Sequence, residues 1–425
     1  MSTQLETARE LLQSGRMQEA EQAFERALEE FPEDLQALNV VALGALRNGR
    51  HDWALELLTR ARRVDASDAV TNFHLGKVHE AAGAAEAAAA AYGAAVAARP
   101  EFYVARLAYA AALERCGQAD RALIQYARSL KDAQSQQRWL DPGTTPESLR
   151  PLVAHAVRTF RSGRRQLFAR IIEPLRSRYG APAMTRMEKC LRIYLREEPA
   201  HCPDPRQAPS FLYFPDLPTS PYFDRRLLAW VDALEQRTPA IHEELLEVMA
   251  STGGRERVFS SEELEQQHLR GSGAAPSWTG YYFWRHGRRR DDNCSQCPST
   301  ALALEALPLA RVRDHAPEVL YSVFTPGTHL LPHRGVTNTR AVAHLPLIVP
   351  EDCALVVGGK QHVWEAGHVV AFDDTYEHEA WNRSAAIRVV LILDIWNPHL
   401  TEAEQGAVAD IVAAIGDLRE GIAEA

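Results

Sequence analysis

Small and large apolar residues alternate regularly through the first 130 residues. Each unit of 34 residues carries a small residue, then a large one, then a second small one. The small residues are Ala20, Ala54, Ala88 and Ala122, then Ala27, Ala61, Ala95 and Ser129, and the large ones are Phe24, Leu58, Tyr92 and Tyr126. This pattern predicts two antiparallel helices per unit, in close contact at the small residues and with the large ones filling the gaps.

Four glycines mark the same interval. Gly15, Gly49, Gly83 and Gly117 are 34 residues apart, at the predicted turn between the two helices of each unit. The pattern resembles the tetratricopeptide repeat and covers residues 1–130, whereas an irregular Ala-rich bundle would not keep this register through four units. The resemblance implies an all-α solenoid whose concave surface binds a peptide or a partner protein.

The remaining chain predicts a helical connector and then a β-rich domain. Residues 131–205 contain the amphipathic stretches 151–160 and 166–176, broken by Pro and Gly. Helical stretches follow at 225–235 and 240–249, and a capping box of Thr401 and Glu404 opens a C-terminal helix at 401–425. Strand candidates are 281–284, 319–324, 341–349, 354–357, 362–364, 368–372 and 387–396.

Short turns separate these strand candidates. We expect hairpin turns at 358–359, 365–367 and 382–385. Many short strands without long intervening helices indicate an antiparallel sandwich or jelly roll within residues 206–400. The predicted protein is therefore multidomain, with segments 1–130, 131–205, 206–400 and 401–425.

Length, composition and charge restrict the class of protein. A chain of 425 residues with 46% hydrophobic and 24% charged residues suits several soluble globular domains. The net charge of -9 argues against general binding of nucleic acid. No secretory signal and no membrane span is visible, so we expect a cytoplasmic protein.

Two histidines in the β-rich region suggest a metal site. His333 follows Pro332, and His378 follows the run Phe372 to Glu377. Imidazole suits iron, and these two residues have to converge from different strands. Arg388 comes ten residues after His378, where a hairpin would place it alongside, and its guanidinium could hold a carboxylate.

Several ordered motifs resemble the aspartyl/asparaginyl β-hydroxylase family. They are Pro326-Gly327-Thr328-His329, His333-Arg334-Gly335, Thr337-Asn338-Thr339-Arg340, His344-Leu345, Phe372-Asp373-Asp374 and Glu377-His378-Glu379-Ala380-Trp381. The resemblance implies a double-stranded β-helix of the jelly-roll, cupin-like type. It further implies that His333 and His378 bind Fe(II) and that Arg388, assisted by Ser322, binds the distal carboxylate of 2-oxoglutarate. His344 would then lie near the other carboxylate of this cosubstrate.

Gly335 stands where most iron oxygenases of this fold have a third, carboxylate ligand. The β-hydroxylase family shares this absence, which implies water at that position and leaves halogenation as a minor alternative. Arg340 is a candidate contact for a substrate or cosubstrate carboxylate. Some relatives have a further basic residue where this chain has Val342, which weakens the case for an acidic peptide substrate. Asp373 and Asp374 are candidates either for orienting His378 or for forming a turn.

The leading hypothesis is a dioxygenase that uses Fe(II), 2-oxoglutarate and O2 to hydroxylate an aspartyl, asparaginyl or related amino-acid side chain. The repeats would recruit the peptide or protein that carries this side chain. The alternatives are a hydroxylase of a free amino acid, a carrier-bound amino acid or a lipid acyl chain, and a non-catalytic tetratricopeptide adaptor.

Overall fold

The computed structural model describes residues 3–251, 253–271 and 277–424. They divide into two compact units, the first comprising Met1–Gln166 with Leu418–Ala425 and the second comprising Leu167–Asp417. The predicted limits at residues 130, 205 and 400 lie inside these units, and that finer division stays a prediction.

The first unit contains the predicted solenoid. Its helices are α1 (Thr3–Gln13), α2 (Met17–Glu30), α3 (Leu35–Arg47), α4 (His51–Val64), α5 (Ala69–Ala81), α6 (Ala85–Ala98), α7 (Tyr103–Arg115) and α8 (Ala119–Ser135). Gly15, Gly49, Gly83 and Gly117 lie in the turns between paired helices with φ from +71° to +76°, a conformation that favours glycine. The repeating alanines and the aromatic or leucine residues between them are buried. The tetratricopeptide arrangement is confirmed.

The connector differs from its prediction. The stretches 151–160 and 166–176 belong to one helix, α9 (Arg150–Tyr179), which is followed by α10 (Ala181–Tyr194). Gly163 and Pro174 both lie inside α9, so neither residue ends it. Phe168 and Ile172 are buried in an apolar cluster that α10 also joins, and we attribute the continuity of the helix to this packing.

Six further helices and two 3-10 turns complete the helical elements of the described residues. They are α11 (Val231–Glu235), α12 (Thr238–Ala250), α13 (Glu262–His268), α14 (Asp291–Gln296), α15 (Pro298–Glu305), α16 (Glu402–Glu424), Glu147–Leu149 and Arg225–Leu227. The predicted helix at 225–235 is therefore a short turn followed by α11. The capping box is confirmed, because Glu404 accepts from the Thr401 N–H at 2.9 Å and the Thr401 hydroxyl accepts from the Glu404 N–H at 3.3 Å. Among the helices so described, none is long and apolar enough to cross a membrane.

Twelve strands within the described ranges form two antiparallel sheets. They are β1 (Glu256–Arg257), β2 (Leu269–Gly271), β3 (Trp278–Arg285), β4 (Arg288–Arg289), β5 (Val319–Phe324), β6 (Thr328–His333), β7 (Arg340–Ile348), β8 (Cys353–Val357), β9 (Lys360–His362), β10 (Val370–Phe372), β11 (His378–Asn382) and β12 (Arg388–Trp396). The larger sheet has the order β1-β3-β5-β12-β7-β10, with β4 paired to β3, and the smaller has the order β2-β6-β11-β8-β9. The predicted jelly roll, a double-stranded β-helix, is confirmed.

The chain passes repeatedly from one sheet to the other. The turn at Gly358 and Gly359 joins β8 and β9 in a hairpin, as predicted. The predicted hairpins at 365–367 and 382–385 are wrong, because each of these turns joins strands of different sheets. Arg388 therefore does not lie beside His378 on a neighbouring strand. It lies in the opposite sheet, and both side chains line the space between the sheets.

Candidate active site

A cavity of about 310 Å³ lies between the two sheets. All six residues that the sequence predicted for the site line it: Ser322, His333, Arg340, His344, His378 and Arg388. The larger sheet contributes four of them from β5, β7 and β12, and the smaller sheet contributes the two histidines from β6 and β11. The fold thus brings together residues that are up to 66 positions apart in sequence, from Ser322 to Arg388.

The two histidines face each other across one strand pair. His333 and His378 are direct partners in the β6–β11 ladder, and their ring centroids are 4.1 Å apart. The Nδ1 atom of His333 lies 2.8 Å from the Leu331 carbonyl, and that of His378 lies 3.0 Å from the Tyr376 carbonyl. A carbonyl only accepts, so each Nδ1 carries the hydrogen and each Nε2 keeps its lone pair.

Burial favours the neutral form of both rings. It lowers the pKa of His333, and together with the neighbouring His333 it lowers the pKa of His378 to about 3. A neutral imidazole with a free Nε2 lone pair is the form that binds a metal. Within residues 3–251, 253–271 and 277–424, no group of three or more His, Cys, Asp or Glu side chains is placed to hold a metal ion.

The loop between β10 and β11 supports the pair through its backbone. The Asp373 carboxylate accepts from the Thr375 N–H at 3.0 Å and from the Gln207 amide, so Asp373 has the turn role. The hydrogen bond that orients His378 is the one that its Nδ1 donates to the Tyr376 carbonyl. The Gly335 N–H donates to the Asp374 carbonyl at 2.6 Å, and a Cβ atom at position 335 would overlap the Asp374 carboxylate. Asp374 thus fills the space that a side chain at position 335 would need.

Arg388 is a buried cation without a counter-ion among the described residues. It is 2% exposed, and its guanidinium lies over the Phe324 ring at 3.6 Å and the Trp364 ring at 4.9 Å. Its Nη1 donates to the Ser322 hydroxyl at 3.3 Å, and that hydroxyl also accepts from Trp278 Nε1 at 2.9 Å. In the described part of the chain its Nε has no hydrogen-bond partner. Burial lowers the pKa of Arg388 to about 9.

His344 completes this end of the cavity. It lies on β7, opposite Ile392 of β12, and its ring packs edge-on against Phe372 at 5.1 Å. Its Nδ1 is buried with no hydrogen-bond partner among the described residues. Burial, with the nearby Arg388 charge, lowers the pKa of His344 well below its ordinary value. A neutral ring beside a guanidinium can donate to or accept from an additional polar group.

Arg340 already has carboxylate partners. Its Nη1 lies 2.6 Å from Asp394 Oδ2 and its Nη2 lies 3.5 Å from Asp374 Oδ2. Sequence reasoning missed Asp394 and the nearby Glu318. The sequence did contain a signal for Asp394. It lies six positions after Arg388 on β12, and residues an even number of positions apart on a strand face the same side, where the residues between them are apolar. The burial of Glu318 depends on the packing of β3 and β4, which the sequence pattern did not reveal.

Comparisons with known proteins concern the sequence of the β-rich domain and of the repeats. The sequence model described as aspartyl/asparaginyl β-hydroxylase matches residues 235–398, and a tetratricopeptide repeat model matches residues 5–69. Aspartate β-hydroxylase domain-containing protein 2 of Xenopus tropicalis is 31% identical over 261 residues, which is 60% of this chain and 68% of that protein. The chain belongs to the aspartyl/asparaginyl β-hydroxylase family.

A second relative within the family is matched over a smaller part of its length. Human aspartyl/asparaginyl β-hydroxylase is 34% identical over 182 residues, which is 43% of this chain and 23% of the human protein. The similarity therefore concerns the β-hydroxylase domain and not the whole relative. This similarity supports the membership of the chain in a hydroxylase family. The chain also carries tetratricopeptide repeats.

Proposed function

We propose that this chain is an Fe(II)- and 2-oxoglutarate-dependent dioxygenase that hydroxylates an aspartyl, asparaginyl or related amino-acid side chain. One observation carries the proposal: the Arg388 guanidinium, which has no counter-ion in the described part of the chain, and the His333–His378 pair line one cavity from opposite sheets. A scaffold protein would gain nothing from a buried cation without a counter-ion, since burying an unpaired charge is unfavourable.

The two histidines fit an iron site. Their Nδ1 hydrogens are engaged by backbone carbonyls, which orients both rings and leaves Nε2 as the metal-binding atom. His333 and His378 would hold Fe(II) through these atoms. Few protein ligands leave positions for the cosubstrate and for O2, as an iron oxygenase requires.

The other end of the cavity fits a carboxylate of 2-oxoglutarate. A carboxylate at Arg388 would pair with the charge, accept from its unpartnered Nε and accept from the Ser322 hydroxyl. His344 Nδ1 is a further unpartnered group for the remaining polar end of the cosubstrate. These three residues would bind and orient 2-oxoglutarate between the sheets.

The reaction in this proposal consumes 2-oxoglutarate, O2 and a C–H bond, and it yields succinate, carbon dioxide and a C–OH bond. Iron, when bound, supplies the redox chemistry that activates O2. The residues of this chain have the tasks of binding and orienting. The aromatic rings around Arg388 exclude water, which strengthens its attraction for a carboxylate.

The repeats would recruit the peptide or protein that is hydroxylated. Tetratricopeptide solenoids present a surface to such partners and carry no chemistry of their own. In this proposal removal of the repeats would weaken binding of a macromolecular substrate while turnover of a short peptide persists.

Succinate formation tests the proposal. Purified full-length chain with Fe(II), 2-oxoglutarate and O2 is expected to form succinate, and a lysate peptide digest is expected to increase it and to gain one oxygen atom per product by mass spectrometry. His378→Ala should abolish this activity. His329→Ala is the matched control, because His329 pairs with Glu379 at 2.7 Å outside the cavity. Equal succinate from wild type and His378→Ala would contradict the proposal, and no succinate from either would favour the adaptor.

A further inference from the structure

The cavity extends along β12 beyond Arg388, the residue proposed above to bind 2-oxoglutarate. Arg388 and Asp394 both line it and are six residues apart on this strand. Their Cα atoms are therefore roughly 20 Å apart. Between them Ile392 lies opposite Leu320, and both line the cavity. A five-carbon dicarboxylate bound at Arg388 would not reach Asp394, so this end remains for another ligand.

Three carboxylates line this end. Asp394 Oδ2 accepts from Arg340 Nη1 at 2.6 Å and from the Glu318 N–H at 3.0 Å. Glu318 Oε1 accepts from the His286 N–H at 2.6 Å and lies 2.9 Å from His286 Nδ1. The third carboxylate, Asp374, lies 3.5 Å from Arg340 Nη2.

The carboxylates outnumber the cations that are available to them. Arg340 is shared between two of the three. Arg285 also lines the cavity, but it forms an ion pair with Glu256. The His286 side chain is 70% exposed, and its partial burial together with the neighbouring Arg285 lowers its pKa. Burial raises the pKa of both Glu318 and Asp374 to about 7, so this end carries an excess of negative charge above that pH.

One of these carboxylates has an unsatisfied buried atom. Asp374 is 5% exposed, and its Oδ1 has no hydrogen-bond partner in the part of the chain that the structure describes. A buried carboxylate oxygen without a donor is unfavourable, and such atoms are rare in native proteins. Because Asp374 lines the cavity, a ligand that enters it can supply the missing donor.

We propose that this end of the cavity binds a positively charged group of the substrate, a protonated amine or guanidinium on an aliphatic chain. The apolar side chains of Leu320, Val342 and Ile392 would contact the chain, and the carboxylates of Glu318, Asp374 and Asp394 would bind the charge. A substrate carboxylate would instead meet the like charge of these carboxylates. The identification of this ligand as a substrate rests on the function proposed above, and it selects from the side chains named there a related amino-acid side chain that carries a cation.

Calorimetric titration with n-pentylamine and pentanoate tests the cation site. The full chain is loaded with Mn(II) and 2-oxoglutarate in the absence of O2. The amine is expected to bind at least 10-fold more tightly than the acid. Pentanoate binding as tightly as the amine, or more tightly, would overturn the inference.

Two variants and one control make the test specific. Glu318→Gln should weaken amine binding at least 10-fold, and Val342→Lys should abolish it and increase pentanoate binding. Glu379→Gln is the matched control, since Glu379 pairs with His329 outside the cavity. Unchanged 2-oxoglutarate affinity shows that each variant is folded. Amine affinity unchanged in both cavity variants would overturn the cation site.

A titration without metal and cosubstrate separates this inference from the proposed function. Amine binding that persists without metal and cosubstrate, together with no succinate formation in the turnover assay, would contradict the proposed dioxygenase function and support the cation site. Succinate formation without a preference for the amine would support the dioxygenase and overturn the cation site.

Discussion

The carboxylate of Asp374 occupies the space that a side chain at Gly335 would need. Gly335 does not have a positive φ, so the requirement for glycine comes from this close approach and not from backbone conformation. The same contact leaves no room for a side chain at position 335.

Gly335→Ala should therefore destabilise the protein by about 1–3 kcal/mol through overpacking. Chemical denaturation measures this change in the free energy of unfolding. In an Asp374→Ala background the same substitution should cost much less, because the overlapping carboxylate is gone. An equal loss of unfolding free energy in the two backgrounds would show that the Asp374 carboxylate does not clash with a side chain at position 335.

Arg388→Met should remove cosubstrate binding without loss of stability. Methionine fills a similar volume and removes a buried, unpaired charge, so the melting temperature should stay the same or rise. The Kd for 2-oxoglutarate should rise at least 100-fold, which is about 2.7 kcal/mol. Calorimetry and thermal unfolding measure the two effects, with Ser322→Ala as a milder variant that weakens binding by roughly 10-fold. A normal affinity in Arg388→Met would exclude Arg388 as the anchor.

The pH dependence of amine binding should follow Glu318. Burial raises the pKa of Glu318 to about 7, against the lowering effect of Arg285, Arg340 and the His286 N–H. A carboxyl group is neutral below its pKa and charged above it, so amine affinity should increase as the pH rises from 6 to 8. Glu318→Gln should make the profile less steep, and the slope that remains belongs to Asp374, whose pKa burial also raises to about 7. An unchanged slope in this variant would show that Glu318 does not contribute to the titration.

The solenoid offers a packing test that is independent of catalysis. A Cβ atom at Gly76 would overlap the Tyr92 ring, which is fully buried and held by its hydroxyl donating to Glu80 at 2.7 Å. Gly76→Ala should lower the free energy of unfolding by about 1–3 kcal/mol. Gly44→Ala is the matched control, because its Cβ would meet only the flexible Glu21 side chain. Equal stability of the two variants would contradict this packing.

The sequence predicts some strands much better than others. β5 and β12 are nearly continuous runs of buried apolar residues, and their predicted limits agree with the structure to within one residue. β6 and β11 were not among the predicted strands, although they carry His333 and His378. Polar and charged residues interrupt the alternation of polar and apolar positions in both strands. β11 pairs with β6 and with β8, and each of these pairs joins distant parts of the chain.

The site residues could be found from motifs, but their surroundings could not. The hairpin expected beside Arg388 failed because a run of apolar residues does not specify which sheet it joins. Likewise the sequence left Arg340 available for a ligand carboxylate, whereas Asp394 and Asp374 already lie beside it. Only the registers of the assembled sheets place these charges together.

The central claim is that His333 and His378 hold Fe(II) in one cavity with a 2-oxoglutarate anchor at Arg388. Anaerobic calorimetry with Fe(II), followed by 2-oxoglutarate, tests it most directly. Wild type should bind the metal and then the cosubstrate, whereas His333→Ala and His378→Ala should each lose metal affinity by roughly 100-fold or more, and His329→Ala should behave as wild type. Fe(II) binding that is undiminished in both cavity variants would contradict the account.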